Sequence, residues 1–408
     1  MKMACLLASF SFLACQTYEF QYDPPFAWEI SEAKADLAAT APKPNLFFLV
    51  DKSRSMAFSA DPNPACDCAD SPCPPTCTNR WQALTDAMTK FTANSGTVAH
   101  VGMLAFPKAP PTDACLPPDI SDIADLGVPL DGTAVDDDAP LQAKSDAVLK
   151  KIRSLTPRGG TPTAFSVRAL AQYPALVRPN FQRASFVVLM TDGLPNCNPA
   201  HNAVVNTCYC TSPSGQGACV GQMGAAPNNQ CLDDTGTAAE IAFLKERYGV
   251  RTIVVGFGAD VTGSVGQTAL DAMARAGGFQ RPCQTDAECG IGDTCVGGGT
   301  DACGNSITSC TKSFYQAANA VELGDALAEI REQISCDPCS RALPATPKDP
   351  RFVAVLIDGV SVLAGPETWS VVGSNVVFAA QGEICQRIRA TTLLNPLKAE
   401  FRVANPIE

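Results

Sequence analysis

Two unbroken apolar runs, Leu46 to Val50 and Phe186 to Met190, limit the folds open to this chain more than any other feature. A strand with one wet face alternates apolar and polar residues. A short continuous run between polar flanks reads instead as a strand buried on both faces, as in a parallel sheet covered by helices. Val101 to Phe106, Arg251 to Gly256 and a segment near Ser313 to Ala317 read as further strands. Between them, apolar residues recur at helical spacing: Trp81, Leu84, Met88 and Phe91; Val148, Ile152 and Leu155; Ile241, Leu244 and Tyr248; Leu323, Leu327, Ile330 and Ile334. Strand and helix alternate, which predicts an α/β fold built on a doubly wound, mostly parallel sheet.

The first run stops on Asp51, followed by hydroxyls at Ser53 and Ser55. These are hard oxygen groups, suited to Mg²⁺ or Ca²⁺ rather than to zinc or copper. They fall at the carboxyl end of a strand, where open α/β sheets bind ligands. The second run ends on Thr191-Asp192-Gly193, and Gly159-Gly160-Thr161-Pro162-Thr163 introduces a helical segment between the two. Taken in order, the three stretches resemble the von Willebrand factor A domain and its metal-ion-dependent adhesion site, over about residues 45–335. The resemblance implies a metal set of Asp51, Ser53, Ser55, Thr161 and Asp192. It implies that Ser53, Ser55 and Thr161 bind Mg²⁺ (or Ca²⁺ or Mn²⁺) directly, and that Asp51 and Asp192 hold it largely through water. An Asp or Glu of a protein ligand would then fill the open position. Arg54 stands where many members of that family carry glycine, which narrows the approach to the metal but removes no ligand.

Twenty cysteines stand against two histidines. Zinc would need cysteine-only sites, and Cys336-x-x-Cys339 has no second pair at the usual spacing. The cysteines cluster in polar, Gly- and Pro-bearing segments, the texture of a disulfide-stapled exported protein. Met1-Lys2 and the apolar Met3 to Ala14 have the layout of a signal peptide over residues 1–14, well short of the about 20 residues of a membrane span. Ser11-Phe12-Leu13-Ala14-Cys15 resembles a bacterial lipoprotein signal cleaved before an acylated cysteine, with Phe12 where leucine is usual. Cys15 is therefore the expected lipid site. The expected location is the cell envelope, as an outer-membrane lipoprotein that meets the membrane only through that lipid. The alternative is an ordinary signal peptide and a secreted protein. Removal of Cys5 and acylation of Cys15 leave an even number of cysteines for pairing.

Residues 15–43 read as a tether. A von Willebrand A-like domain follows over 44–335, with Cys-rich insertions at 57–79, 193–234 and 280–310. A small β domain closes the chain over 336–408. In it, Phe352 to Ile357 and Val360 to Leu363 form a predicted hairpin through Asp358-Gly359, with further strands at Asn375 to Phe378 and Lys398 to Val403. The acidic stretch Thr112 to Pro140 lacks EF-hand spacing and reads as a solvated loop. Topology places segments that leave strands at the carboxyl face of the sheet and segments that leave helices at the opposite face. Cysteines from Cys66 to Cys231 fall in the first set and those from Cys283 to Cys385 in the second, so no disulfide is expected to join the sets.

The hydrophobic fraction of 46% supplies a core, and the formal charge of -11 argues against nucleic acid or anionic membrane as partner. No Gly-x-Ser-x-Gly elbow, HExxH or Walker A motif occurs, and neither His100 nor His201 lies beside a nucleophile in sequence. The chain is accordingly expected not to be an enzyme. With neutral hydroxyls as the implied direct ligands and both carboxylates acting largely through water, a divalent cation there keeps enough charge to accept an acidic side chain. The expected function is metal-dependent protein binding or adhesion at the envelope. The alternative is a structural envelope protein whose metal only stabilises the fold, with the Cys-rich insertions making the contacts.

Overall fold

The computed structural model describes residues 28–37, 43–59, 78–108, 114–133, 135–179, 183–192, 194–198, 209–211, 229–257, 264–289, 293–300, 306–317, 320–334, 339–373, 375–391 and 396–407. The predicted signal peptide, Cys15 and most of the first two Cys-rich insertions lie outside these residues.

Five parallel strands make the central sheet: Asn45–Asp51, His100–Phe106, Ser185–Thr191, Arg251–Phe257 and Tyr315–Ala317. Counted along the chain, their spatial order is 2-1-3-4-5. The first strand therefore pairs on one side with the second and on the other with the third. The order in which strands are added reverses at the first strand, and the crevice at the carboxyl ends of the first and third strands is the switch point of a doubly wound fold.

The two unbroken runs do what their pattern requires. Leu46, Phe48 and Val50 point into one core with Phe186, Val188 and Met190, under the helices Arg80–Ser95, Asp138–Ser154 and Ala320–Ile334. Phe47 and Leu49 enter the other core with Val187 and Leu189, under Thr163–Leu170, Asp234–Tyr248 and Ser264–Gly277. Every residue of the first and third strands is buried, because each face of the pleat is covered. Phe48 meets Phe91 edge to face at 5.4 Å, so the Trp81–Leu84–Met88–Phe91 stripe packs as its spacing predicts. Asn79 starts that helix with a reciprocal capping box: its side chain accepts from the Gln82 amide, and its own amide donates to Gln82 Oε1.

Two expectations need correction. The acidic stretch is not simply solvated. Asp136 lies 2.7 Å from His100 Nε2, accepts from Arg183 Nη1 at 2.7 Å and from the Lys43 amide at 2.9 Å, and so ties the amino ends of the strands together. Asp122 is also buried and pairs with Lys108. The second correction falls on the tether. Trp28–Leu37 is a ten-residue strand, paired antiparallel with Leu397–Pro406 from Trp28↔Pro406 to Leu37↔Leu397. The last strand also pairs with Val353–Ile357, completing a four-stranded antiparallel sheet with Val360–Val362. Asp358 and Gly359 both have positive φ, 51° and 81°, as a two-residue hairpin turn demands. A three-stranded sheet (Ser340–Ala342, Trp369–Val372, Asn375–Phe378) and the helix Glu383–Ala390 share the same core. Leu37, from the far end of the chain, is buried in it.

Four disulfides lie between described residues: Cys115–Cys197, Cys283–Cys295, Cys289–Cys310 and Cys339–Cys385. Each joins two cysteines of one topological set and none crosses between sets. The sulfurs of Cys283, Cys289 and Cys310 lie within 4.8 Å of one another because two bridges, side by side, tie Cys283 and Cys289 to the paired ends of the hairpin Cys295–Thr300/Ser306–Cys310. Bridged sulfurs are not thiolates, so this cluster offers no zinc site.

Candidate metal centre

At the switch point, four of the five predicted residues join in one hydrogen-bond chain. Asp51 is the last residue of the first strand and has no exposed surface. Its Oδ1 accepts from the Ser53 amide at 2.7 Å, and its Oδ2 from Thr191 Oγ1 at 2.7 Å. Ser53 Oγ and Ser55 Oγ are 3.0 Å apart, and Ser55 Oγ donates to Asp192 Oδ1 at 3.0 Å. The Asp-x-Ser-x-Ser spacing works because the chain turns at once after the strand, into the short 3-10 turn Arg54–Ala57. That turn brings alternate hydroxyls back over the strand end.

Thr161, the fifth residue, is buried on the adjoining loop. Two backbone bonds bind this loop to the first: Arg158 N donates to Lys52 O at 2.7 Å, and Arg54 N to Gly159 O at 3.0 Å. Asn196 holds Thr161 from the third side, accepting its amide at Oδ1 (2.7 Å) and donating its own amide to Thr161 O (2.9 Å). The Cys115–Cys197 bridge lies over the same point. A Cβ on Gly160 would meet Cys197 Sγ at 2.5 Å and Cys115 Sγ at 3.2 Å, so only glycine lets the bridge approach.

Electrostatics set the centre apart from an ordinary turn. Burial first, and the neighbouring Asp192 charge second, push the Asp51 carboxyl up to about 7, although the Ser53 amide and hydroxyl and the Thr191 hydroxyl oppose the rise. Two buried carboxylates side by side lack enough positive charge. Lys52 next to Asp51 is itself pushed down to about 8, by burial and then by Arg158. Sequence reasoning missed one compensating cation. Arg80 Nη1 donates to Asp192 Oδ2 at 2.7 Å, and the two side chains are 4% and 0% exposed. Arg80 also reaches Ser55 O at 3.4 Å and Ser59 O at 3.3 Å. Its one sequence signal is a cation at the first position of a helix, the end where the dipole favours anions.

The donors fit a hard divalent cation. All are carboxylate or hydroxyl oxygens, Asp51, Ser53, Ser55 and Asp192 are joined by hydrogen bonds with Thr161 on the adjoining loop, and the carboxylate pair is short of positive charge.

Strand order and oxygen-lined crevice together define a doubly wound α/β domain with a polar centre at its topological switch point. No protein-family model matches the chain, and no curated protein matches it. Among solved structures, the chain is similar to the pilus adhesin SpaC from Lactobacillus rhamnosus GG, with 13% identity over 93% of this chain and 42% of that one, and a TM-score of 0.41. It thus spans less than half the length of that adhesin. It is also similar to the vWF domain of the type V pili tip protein Mfa5 from Porphyromonas gingivalis (13% identity, 74% of this chain, 96% of that one, TM-score 0.38). A third likeness is to the manganese-loaded TRAP protein of Plasmodium vivax (15% identity, 75% and 78%, TM-score 0.37). These superpositions are loose, and the fold class stands on the strand order itself.

Proposed function

We propose that this chain is a divalent-metal-dependent protein-binding module of von Willebrand factor A type, exported to the cell envelope and held there by lipid on Cys15. The observation that carries this reading is the chain of bonds from Asp51 through Ser53 and Ser55 to Asp192. Hard oxygens meet there at the one place where a doubly wound sheet presents ligands. Ser53, Ser55 and Thr161 would hold Mg²⁺ or Mn²⁺, with Asp51 and Asp192 balancing its charge and orienting the hydroxyls. The bound cation supplies a Lewis-acidic point that accepts one carboxylate oxygen. The chain's own residues fix where that point lies and shield it from beneath: Asp51 and Ser53 are buried, and exposed Arg54 borders the approach.

The test is partner capture from envelope extract with and without chelator, alongside Asp51→Ala and Asp192→Asn variants, the second keeping an acceptor for Arg80. Adhesion through the metal is expected to lose capture with chelator or with either substitution while the domain stays folded. Capture that survives chelator, with a falling melting temperature as the sole effect, would assign the metal a structural role and the contacts to the Cys-rich insertions. Mass spectrometry of detergent-extracted protein tests the anchor: residues 1–14 absent and an acyl adduct on Cys15.

A further inference from the structure

We propose that Arg80 is a resident cation of the metal centre, one that holds Asp192 in place while the site is metal-free and lowers the affinity for the metal that follows. This rests on the metal-binding reading above.

Arg80 occupies an unfavourable position by every local criterion. It is the first residue of the Arg80–Ser95 helix, the end where the helix dipole disfavours a cation. It is also buried, at 3% exposure, which a guanidinium tolerates only when paired. What repays the position is Asp192. The guanidinium donates to one carboxylate oxygen, Oδ2, at 2.7 Å, and Ser55 Oγ donates to the other, Oδ1, at 3.0 Å. Phe58 packs against the guanidinium, 5.8 Å from ring centroid to Cζ, and the carbonyls of Ser55 and Ser59 accept further bonds from it. Asp192 is thus oriented and neutralised before any ion arrives.

An ion entering the site meets a carboxylate that already has a cation. Coupling between two sites is reciprocal. If Arg80 and the metal both stabilise Asp192, each weakens the benefit of the other. Without Arg80, the metal-free protein carries a buried carboxylate that has lost a counter-cation beside Asp51, and metal binding restores positive charge there. Removal of Arg80 should therefore destabilise the metal-free form more than the loaded one, and the metal should bind more tightly. Arg80 is a positioning residue in this scheme. It is buried and acts through Asp192, and it raises the cation concentration at which the site fills.

The measurement is Mn²⁺ titration by calorimetry and thermal melting, on the wild-type chain and on Arg80→Gln. In chelator, Arg80→Gln is expected to melt on the order of 10 °C below wild type. In saturating Mn²⁺ it should recover at least half of that, so its metal-dependent rise exceeds the wild-type rise by about 5 °C. Its Mn²⁺ affinity should be about tenfold tighter. Arg80→Lys, which keeps the charge on a less suitable head group, should shift in the same direction by less, and it carries the comparison if Arg80→Gln does not fold. An equal loss of stability with and without Mn²⁺, or weaker affinity, would make Arg80 a plain structural brace and overturn the proposal while metal binding stands. A wild-type chain that shows neither heat nor a melting shift with Mn²⁺ overturns the metal reading and this proposal together.

Discussion

Asp51 carries the sharpest consequence at the scale of single residues. Its carboxyl sits at about 7 in the folded protein, against an ordinary 3.8. Between those values the folded state keeps a proton that the unfolded chain has released. In chelator, stability should therefore fall as pH rises from about 4 to about 7 and level off above. Melting curves at half-unit pH steps check this, and Asp51→Asn should flatten the dependence. A divalent ion competes with the same proton, so Mn²⁺ affinity should weaken up to tenfold per pH unit below about 7. Affinity that is constant from pH 5 to 8 would remove Asp51 from the metal set. Asp51, Ser53 and Ser55 were legible in the sequence because three consecutive alternate positions state one local geometry. Arg80 was not, because 112 residues separate it from Asp192 and an insertion separates it from Ser55. Nothing local reports the pairing of two buried charges so far apart.

Among the elements, the unbroken apolar runs were legible for a physical reason: a strand covered on both faces has no position left for a polar residue. The hairpin at Asp358-Gly359 was legible because its turn needs two positive φ angles. The strand Trp28–Leu37 was hidden. Its inward positions are mostly small, Ser31, Ala33 and Ala35, with Leu37 alone both large and buried. Its exposed positions include Trp28 and Ile30, so the usual apolar-in pattern is weak. Loops of the centre are governed by closer packing. Gly160 lies against the Cys115–Cys197 bridge, and the next residue is Thr161. Gly160→Ala is expected to displace the bridge or the loop, at a cost of about 1–3 kcal/mol, and to weaken Mn²⁺ binding. Denaturant melts and calorimetry together check it, and a variant with wild-type stability and affinity would show that the loop yields freely. Cys115–Cys197 closes a separation of 82 residues, which constrains the unfolded chain by about 4 kcal/mol.

At the scale of the whole molecule, the C-terminal sheet is completed by the N-terminal strand, and this decides how the chain can be cut. Leu37 is fully buried in a core otherwise drawn from residues after 338. Leu37→Ala is expected to cost about 2–5 kcal/mol. A chain beginning at residue 38 should expose the Leu397–Pro406 strand to protease while the core between Asn45 and Ala317 stays resistant. Limited proteolysis with fragment mapping reads the difference, and equal resistance of both units would show that the strand is dispensable. The sequence suggested slack here, and the structure has a beam. Ten residues in extended conformation span roughly 33 Å and are close to the limit of chain extension. Tension applied at Trp28 and carried onward through Leu37 has almost no hidden length to draw out. Its pairs with the last strand lie across that pull and would be strained together, not opened one by one. A segment that looked like loose cord is therefore a stiff arm from Trp28 to Leu37, which transmits a tug at one end to the other with little give.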